Sequence, residues 1–206
     1  PPNGLVTHPS GRSYGLLGQH GQFAMVTHDG LEQLYSLFLG LRSHHVPMVL
    51  YAWHAPGTSK LYASVLVYPL VEIDMDTQRL RWSPETFGGG QRSGQAGHGR
   101  LYQTDMLLNR VHVLGLDSLQ VLRTLELDYT PRAVQVDVTR DLLMVGDWFA
   151  GVVRFYRLST LEPLERSVAV GPYLRDMALD VERGLLFAAS KCGVYQVRLD
   201  AQVGDR

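Results

Sequence analysis

The sequence predicts an all-β fold, and within it a β-propeller of four-stranded blades. Three observations carry that expectation. A repeat of about 42 residues runs through the second half of the chain. Its apolar residues alternate with polar ones at period two, the signature of a sheet with two different faces. Short runs are separated by turn residues, with four such runs per unit, which is the arithmetic of a propeller blade.

The repeat is clearest at two places. Arg140–Asp147 aligns with Arg183–Ser190, and Arg132–Asp137 aligns with Arg175–Asp180, each at a spacing of about 43 residues. Val111–Leu119 aligns with Val153–Leu161 at a spacing of about 42. A fainter copy lies upstream, where Lys60–Ser64 resembles Arg100–Thr104 and Ile73–Thr77 resembles Leu114–Ser118. The units are set at 58–99, 100–140, 141–183 and 184–206.

Element by element, the best-defined unit predicts an inner strand over Ala133–Val138, an apolar strand over Leu142–Val145 and an alternating strand over Val152–Leu158. Thr139–Asp141, Phe149–Gly151 and Ser159–Thr160 supply the turns between them. Residues 1–57 show no clear copy and read as a degenerate blade, with strands at Gln22–Thr27 and Val46–Trp53. Between those strands Leu31, Leu34, Tyr35, Phe38, Leu39 and Leu41 stand at helical spacing, which predicts a short amphipathic helix over Asp29–Leu41. Ser83–Gly99, with six glycines among its residues, reads as a long flexible loop or as a join across missing residues. A β-sandwich also has many short strands, but it does not require a repeat at fixed offset. Propellers have about four to eight blades, so either the ring is small or blades are missing from the chain, and the second is the reading taken.

Composition narrows the function classes. With 45% apolar residues the chain can bury a sizeable core. Its 20 acidic and 19 basic side chains nearly cancel, against a general nucleic-acid binder and against an acidic disordered chain. Its 21 glycines and 10 prolines suit a turn-rich β protein. One cysteine, Cys192, rules out an internal disulfide. The most apolar stretch, Leu31–Trp53, is interrupted by Arg42, His44, His45 and Pro47, so no membrane span is expected.

The succession in Val111–Trp148 and Val153–Lys191 is a strand, Asp/Ser-Ser/Thr-Leu, a strand, an inner strand of the Ala-Val-x-Val-Asp type, then Leu-Leu-x-Val. It resembles the YVTN/NHL class of propeller repeats. That resemblance implies the fold and says little of the activity, because propellers host many functions. It also implies a periplasmic or cell-surface location.

Several motifs invite chemistry and are weak on physical grounds. Gly11-Arg12-Ser13-Tyr14-Gly15 fits the nucleophile elbow pattern, but that elbow needs a strand before it and a helix after it. Gly88–Gly99 lacks the lysine and hydroxyl of a phosphate-binding loop. His20, His28, His44, His45 and His54 lie towards the start of the chain without the spacing that puts two ligands on one helical face. Cys192 has a single adjacent cation, Lys191. No catalytic residue, metal site or cofactor is assigned.

The repeat offers the better lead. Arg132 and Arg175 hold equivalent places at the start of the inner strand, at one mouth of the channel. Two arginines there suit an anion or an acidic partner loop, unless each pairs with a nearby carboxylate such as Asp137 or Asp176. Asp105, Asp147 and Ser190 form a second equivalent set, with Tyr129, Tyr173 and Trp148 beside them. The expected function is a non-catalytic propeller scaffold that binds a protein partner in a larger assembly. The alternatives are a metal-dependent lactonase-like hydrolase, with Asn109 and Asp147 as partial matches to its ligands, and an anion- or glycan-binding propeller using Arg132 and Arg175.

Overall fold

The computed structural model describes residues 4–7, 13–17, 22–27, 30–36, 49–55, 58–65, 69–77, 79–86 and 91–199. Among them the chain forms five antiparallel sheets, each laid down in chain order. The first holds β1 (Gly4–Thr7), β2 (Ser13–Leu17), β3 (Gln22–Thr27) and β4 (Gly30–Ser36). The second holds β5 (Val49–His54), β6 (Lys60–Val65), β7 (Pro69–Asp74) and β8 (Leu80–Thr86). In the third are β9 (Gln91–Gly97), β10 (Arg100–Asp105), β11 (Arg110–Gly115) and β12 (Val121–Glu126). The fourth comprises β13 (Pro131–Asp137), β14 (Leu142–Asp147), β15 (Val152–Arg157) and β16 (Pro163–Ala169). The fifth has three strands, β17 (Asp176–Asp180), β18 (Leu185–Ser190) and β19 (Gly193–Arg198).

The first strand of each sheet packs on the first strand of the next: β1 on β5, β5 on β9, β9 on β13, β13 on β17. These strands are the inner wall, and the sheets radiate from it as the blades of an incomplete propeller. Cutting the sequence at 100, 141 and 184 starts each unit at its second strand, one strand later than the sheet begins.

Two sequence expectations are corrected. No helix forms over Asp29–Leu41 among the described residues; Gly30–Ser36 is the strand β4, paired with β3. The reason is a bulge. Leu31 stands opposite Val26 and Leu34 opposite Ala24, two positions apart on β3, so one extra residue makes a spacing of three compatible with a strand. The glycine-rich Ser83–Gly99 likewise is no simple loop. It completes β8 and supplies β9, whose Gly94 and Gly97 pair with Gln103 and Arg100. Gly97 stands at a close approach: a Cβ on it would sit 2.9 Å from Val138 and 3.0 Å from Val136 of the next blade.

Apolar layers between blades hold the stack together. Trp53, Tyr62 and Leu70 meet Leu101 and Leu114 between the second and third sheets. Tyr102, Val111 and Val113 meet Val134, Leu143 and Val145 between the third and fourth. Met144, Val153 and Phe155 meet Met177, Leu186 and Val197 between the fourth and fifth. Each layer removes several large side chains from water, at about 25 cal/mol per Å² of apolar surface.

Polar contacts repeat on the same plan. From the outer strand of each four-stranded sheet described with side chains, an arginine reaches the backbone of the next sheet. Arg81 Nη2 donates to the Leu116 carbonyl at 2.9 Å, Arg123 Nη2 to Thr160 at 2.7 Å, and Arg166 Nη1 to Leu199 at 2.9 Å. The corners they clasp are themselves unusual. Leu119 and Leu161 have φ of +57° and +66°, and their amides donate to Gly115 and Arg157 carbonyls at 2.8 Å. Both side chains are buried, so the corner accepts backbone strain to place a leucine in the core.

Candidate functional site

Asp147 pairs with Pro131, so the ends of the second strands lie at the same end of the blade as the starts of the inner strands. The turns after β10, β14 and β18 therefore share one face with the connections that enter β13 and β17. Backbone hydrogen bonds knit them together. Trp148 donates to Thr130 at 2.9 Å, Leu174 to Trp148 at 3.1 Å, Arg175 to Ala189 at 2.7 Å and Lys191 to Pro172 at 3.2 Å.

On this face three aromatic rings gather. Trp148 and Phe149 are 4.5 Å apart between centroids, tilted by 33°. Tyr173, from the connection into the fifth sheet, stands edge-on to both, at 6.4 Å from Trp148 and 6.3 Å from Phe149. Cations cover the group. The Arg132 guanidinium lies 5.4 Å from the Trp148 centroid, and Lys191 Nζ lies 5.6 Å from that of Tyr173. Arg132 Nη1 also contacts Met106 Sδ at 3.4 Å, joining the turn of the third blade to the cluster.

The cluster faces water. Phe149 is 56% exposed and Tyr173 40%, and Leu107 and Leu108 in the neighbouring turn are 69% and 47% exposed. Among the described residues Trp148 Nε1 is buried with no hydrogen-bond partner, a defect worth about 1–3 kcal/mol. Tyr173 has φ of +58°, a conformation costly for a residue with a side chain. Gly151 explains how the connections come so close. A Cβ there would lie 1.7 Å from the Gly171 carbonyl oxygen, and its own carbonyl accepts from Val170 at 2.7 Å.

Of the residues singled out by the sequence, Arg132, Trp148 and Tyr173 are brought into contact, and Arg175 lies exposed two residues beyond Tyr173. The acidic set is employed differently. Asp105 Oδ1 accepts from the Leu107 and Leu108 amides at 3.1 Å, Asp147 Oδ1 from Ala150 at 3.1 Å, and Ser190 Oγ from Cys192 at 3.2 Å. These side chains close the turns that carry the face. Tyr129 lies beneath it, buried, sharing a 2.9 Å hydrogen bond with the Tyr156 hydroxyl and covered by Arg154.

Asp105 has a second partner, His112 Nε2, at 3.6 Å from Oδ2. Burial alone would raise its carboxyl, but the His112 ring and the Leu108 and Leu107 amides outweigh that and hold it below the ordinary carboxylate value. Gln103, opposite His112, is fully buried, and its amide has no partner among the described residues.

The remaining motifs gain no support as sites. Ser13 begins the strand β2, and no helix follows among the described residues, so the elbow geometry is not formed. Gly11 and Arg12 lie outside the described residues, as do His20, His28, His44 and His45. His54 is on β5, with Nε2 within hydrogen-bond reach of the Thr58 carbonyl. Asn109 turns in the left-handed region and offers its carbonyl to Leu127 at 2.9 Å. Among the described residues no three His, Cys, Asp or Glu side chains converge, and no helix is long and apolar enough to cross a membrane. The exposed Phe149 and the Lys191 cap are the features sequence reasoning passed over.

No family model and no curated protein matches the sequence. Solved structures do match in shape. A streptogramin B lyase superposes with a TM-score of 0.73 and 13% identity, over 95% of this chain and 64% of its own. The selenomethionine-substituted virginiamycin B lyase from Staphylococcus aureus superposes with a TM-score of 0.67 and 10% identity, over 96% of this chain and 70% of its own. The chain thus spans 64% of the length of the first. At such identities the likeness shows the propeller fold.

Proposed function

We propose that the chain is a propeller interaction module whose contact surface is the face carrying Trp148, Phe149 and Tyr173. The observation that supports it is an apolar ring, Phe149, held 56% exposed on a support of Trp148 and Tyr173. A large apolar group fixed at the surface by strained, hydrogen-bonded connections stabilises the fold little and suits contact with a partner. Aromatic and arginine side chains are the groups that anchor such contacts. Selecting a random-peptide display library on the protein, with counter-selection on the Phe149→Ala/Tyr173→Ala double variant, tests the reading. Ligands that bind the parent and lose the variant are expected; a selection that yields none which discriminates the two overturns it.

A second reading follows from the neighbours' stated activity, cleavage by a streptogramin B lyase. The pair Asp105–His112 favours it, since a carboxylate beside an imidazole is the usual means of positioning a base. His112 is only 7% exposed, so a substrate would need access the structure does not offer. Incubation with a streptogramin B antibiotic, followed by mass spectrometry, decides: loss of the intact antibiotic that disappears in His112→Ala supports lyase chemistry, and an unchanged antibiotic removes it.

A further inference from the structure

We propose that Gln103, Asp105 and His112 form a binding site for a divalent transition-metal ion of the zinc type, buried between the second and third blades. Period two puts Gln103 and Asp105 on one face of β10, and the antiparallel register sets His112 of β11 directly opposite Gln103. It is the face of Leu101 and Leu114, which pack on Trp53, Tyr62 and Leu70 of the second sheet. A carboxylate, an imidazole and an amide thus share one patch of sheet that is shut off from water. Gln103 and Asp105 are 0% exposed and His112 is 7% exposed. The site is independent of whatever the aromatic face binds.

Asp105 Oδ2 and His112 Nε2 stand 3.6 Å apart. That is long for a hydrogen bond, whose reach is about 3.2 Å. It is near the ~3.3 Å between two ligands of one tetrahedral zinc with bonds of about 2.0–2.1 Å. Both side chains are also held from behind, as metal ligands are. Asp105 Oδ1 accepts from the Leu107 and Leu108 amides at 3.1 Å, which leaves Oδ2 to the site. His112 Nδ1 lies 3.4 Å from Thr124 Oγ1, which leaves Nε2 turned to Asp105. Gln103 is the independent sign that something else belongs there. Both its amide atoms are buried with no partner among the described residues, and Gly94, its neighbour on β9, brings no side chain to them. Its carbonyl oxygen is the third donor. The set selects the ion: calcium takes about six to eight oxygens, whereas imidazole with carboxylate and amide oxygen suits zinc and its neighbours. Arg110, the cation directly opposite Asp105, is drawn off to Glu126 at 2.8 Å. An imidazole that binds a metal through Nε2 cannot also act there as a base, so this site competes with the lyase reading of the same pair.

Zinc chloride titrated into the chelator-treated chain by calorimetry, with melting temperature followed alongside, tests the site; calcium chloride and cobalt chloride are the comparison probes. Zinc is expected to raise the melting temperature and to bind at least about a hundredfold more tightly than calcium. Cobalt should give the visible absorption of an ion held by nitrogen and oxygen, and His112→Phe should lose it. Asp105→Asn, which can still cap its turn, and Gln103→Leu should each weaken zinc binding by at least about tenfold. Each variant is read against its own metal-free melting temperature, which separates loss of fold from loss of metal; where one variant fails to fold, the other two decide. Zinc bound equally by the parent and the variants would belong to other histidines of the chain and overturns the proposal. So does the absence of any zinc binding, which would leave Gln103 to an ordered water, and so does calcium binding as tight as that of zinc. Binding lost in Asp105→Asn and His112→Phe but unchanged in Gln103→Leu overturns the three-ligand site.

Discussion

Arg123 donates its Nη2 hydrogen bond to the Thr160 carbonyl at 2.7 Å, fastening the outer strand of one blade to a corner of the next. Arg81 and Arg166 do the same one blade before and one blade after. Arg166 adds a second bond, to the Arg198 carbonyl at 2.9 Å, and lies 4.5 Å over the Phe155 ring. Arg123→Ala is expected to lower unfolding stability by about 1 kcal/mol and Arg166→Ala by about 2 kcal/mol, in line with hydrogen bonds made by a charged donor. Urea titrations of the two variants check the order, and an Arg123 loss equal to or larger than that of Arg166 contradicts it.

The corners clasped by these arginines respond to a different substitution. Leu119 and Leu161 combine burial with a left-handed backbone. Alanine at Leu119 is expected to cost about 2–5 kcal/mol through the lost core contact. Glycine there loses one more carbon but escapes a backbone cost of about 1–2 kcal/mol. The glycine variant should therefore be no less stable than the alanine variant, the reverse of the order at a buried site with ordinary φ. Thermal melts of both variants side by side settle the matter.

Gly151 and Gly99 separate backbone strain from steric collision. Both have positive φ, +63° and +66°, but a Cβ on Gly99 meets nothing within 4 Å, while one on Gly151 strikes the Gly171 backbone. Gly99→Ala should cost about 1–2 kcal/mol. Gly151→Ala should cost clearly more and also displace Tyr173, visible as altered near-ultraviolet dichroism from the aromatic cluster. Equal losses would mean that the two connections are not as close as described.

Asp105 predicts the acid limb of stability. Its carboxyl titrates below the ordinary value in the folded chain, so the unfolded chain binds its proton more readily. The stabilisation is fully present above the unfolded value of about 3.9 and is lost as pH falls from there through the folded value. Asp105→Asn should lower stability at pH 7 and flatten its decline below about pH 4. A variant whose acid limb parallels the parent's would assign that decline to other carboxylates.

How much of this was readable in advance depends on whether the deciding contact is local. The run Leu142–Val145 and the alternation Val153–Phe155 announce strands because burial there follows the residues themselves, continuous through β14 and alternating at the start of β15. The stretch that forms β9 reads as a loop, because the reason for its Gly97 is Val136 and Val138 of the following blade. Leu31 and Leu34 read as helix because a single bulge imitates helical spacing. At the site, equivalence between repeats pointed to Arg132 and Trp148, which do meet. It could not distinguish an aspartate that binds a ligand from one that caps its own turn, as Asp105 and Asp147 do. Nor could it single out Phe149, whose exposure is decided by the turn geometry after β14.

The fifth sheet has a consequence for how the molecule breathes. It packs on the fourth sheet through Met177, Leu186 and Val197, and its β18 is paired on both sides, by β17 and β19. Strands hydrogen-bonded on both sides open late, so the amide protons of β14 and β18 should be among the slowest to exchange with solvent. Trp148 directly follows β14 and Lys191 directly follows β18, so the ring and the cation near it are each anchored to a strand that stays closed longest.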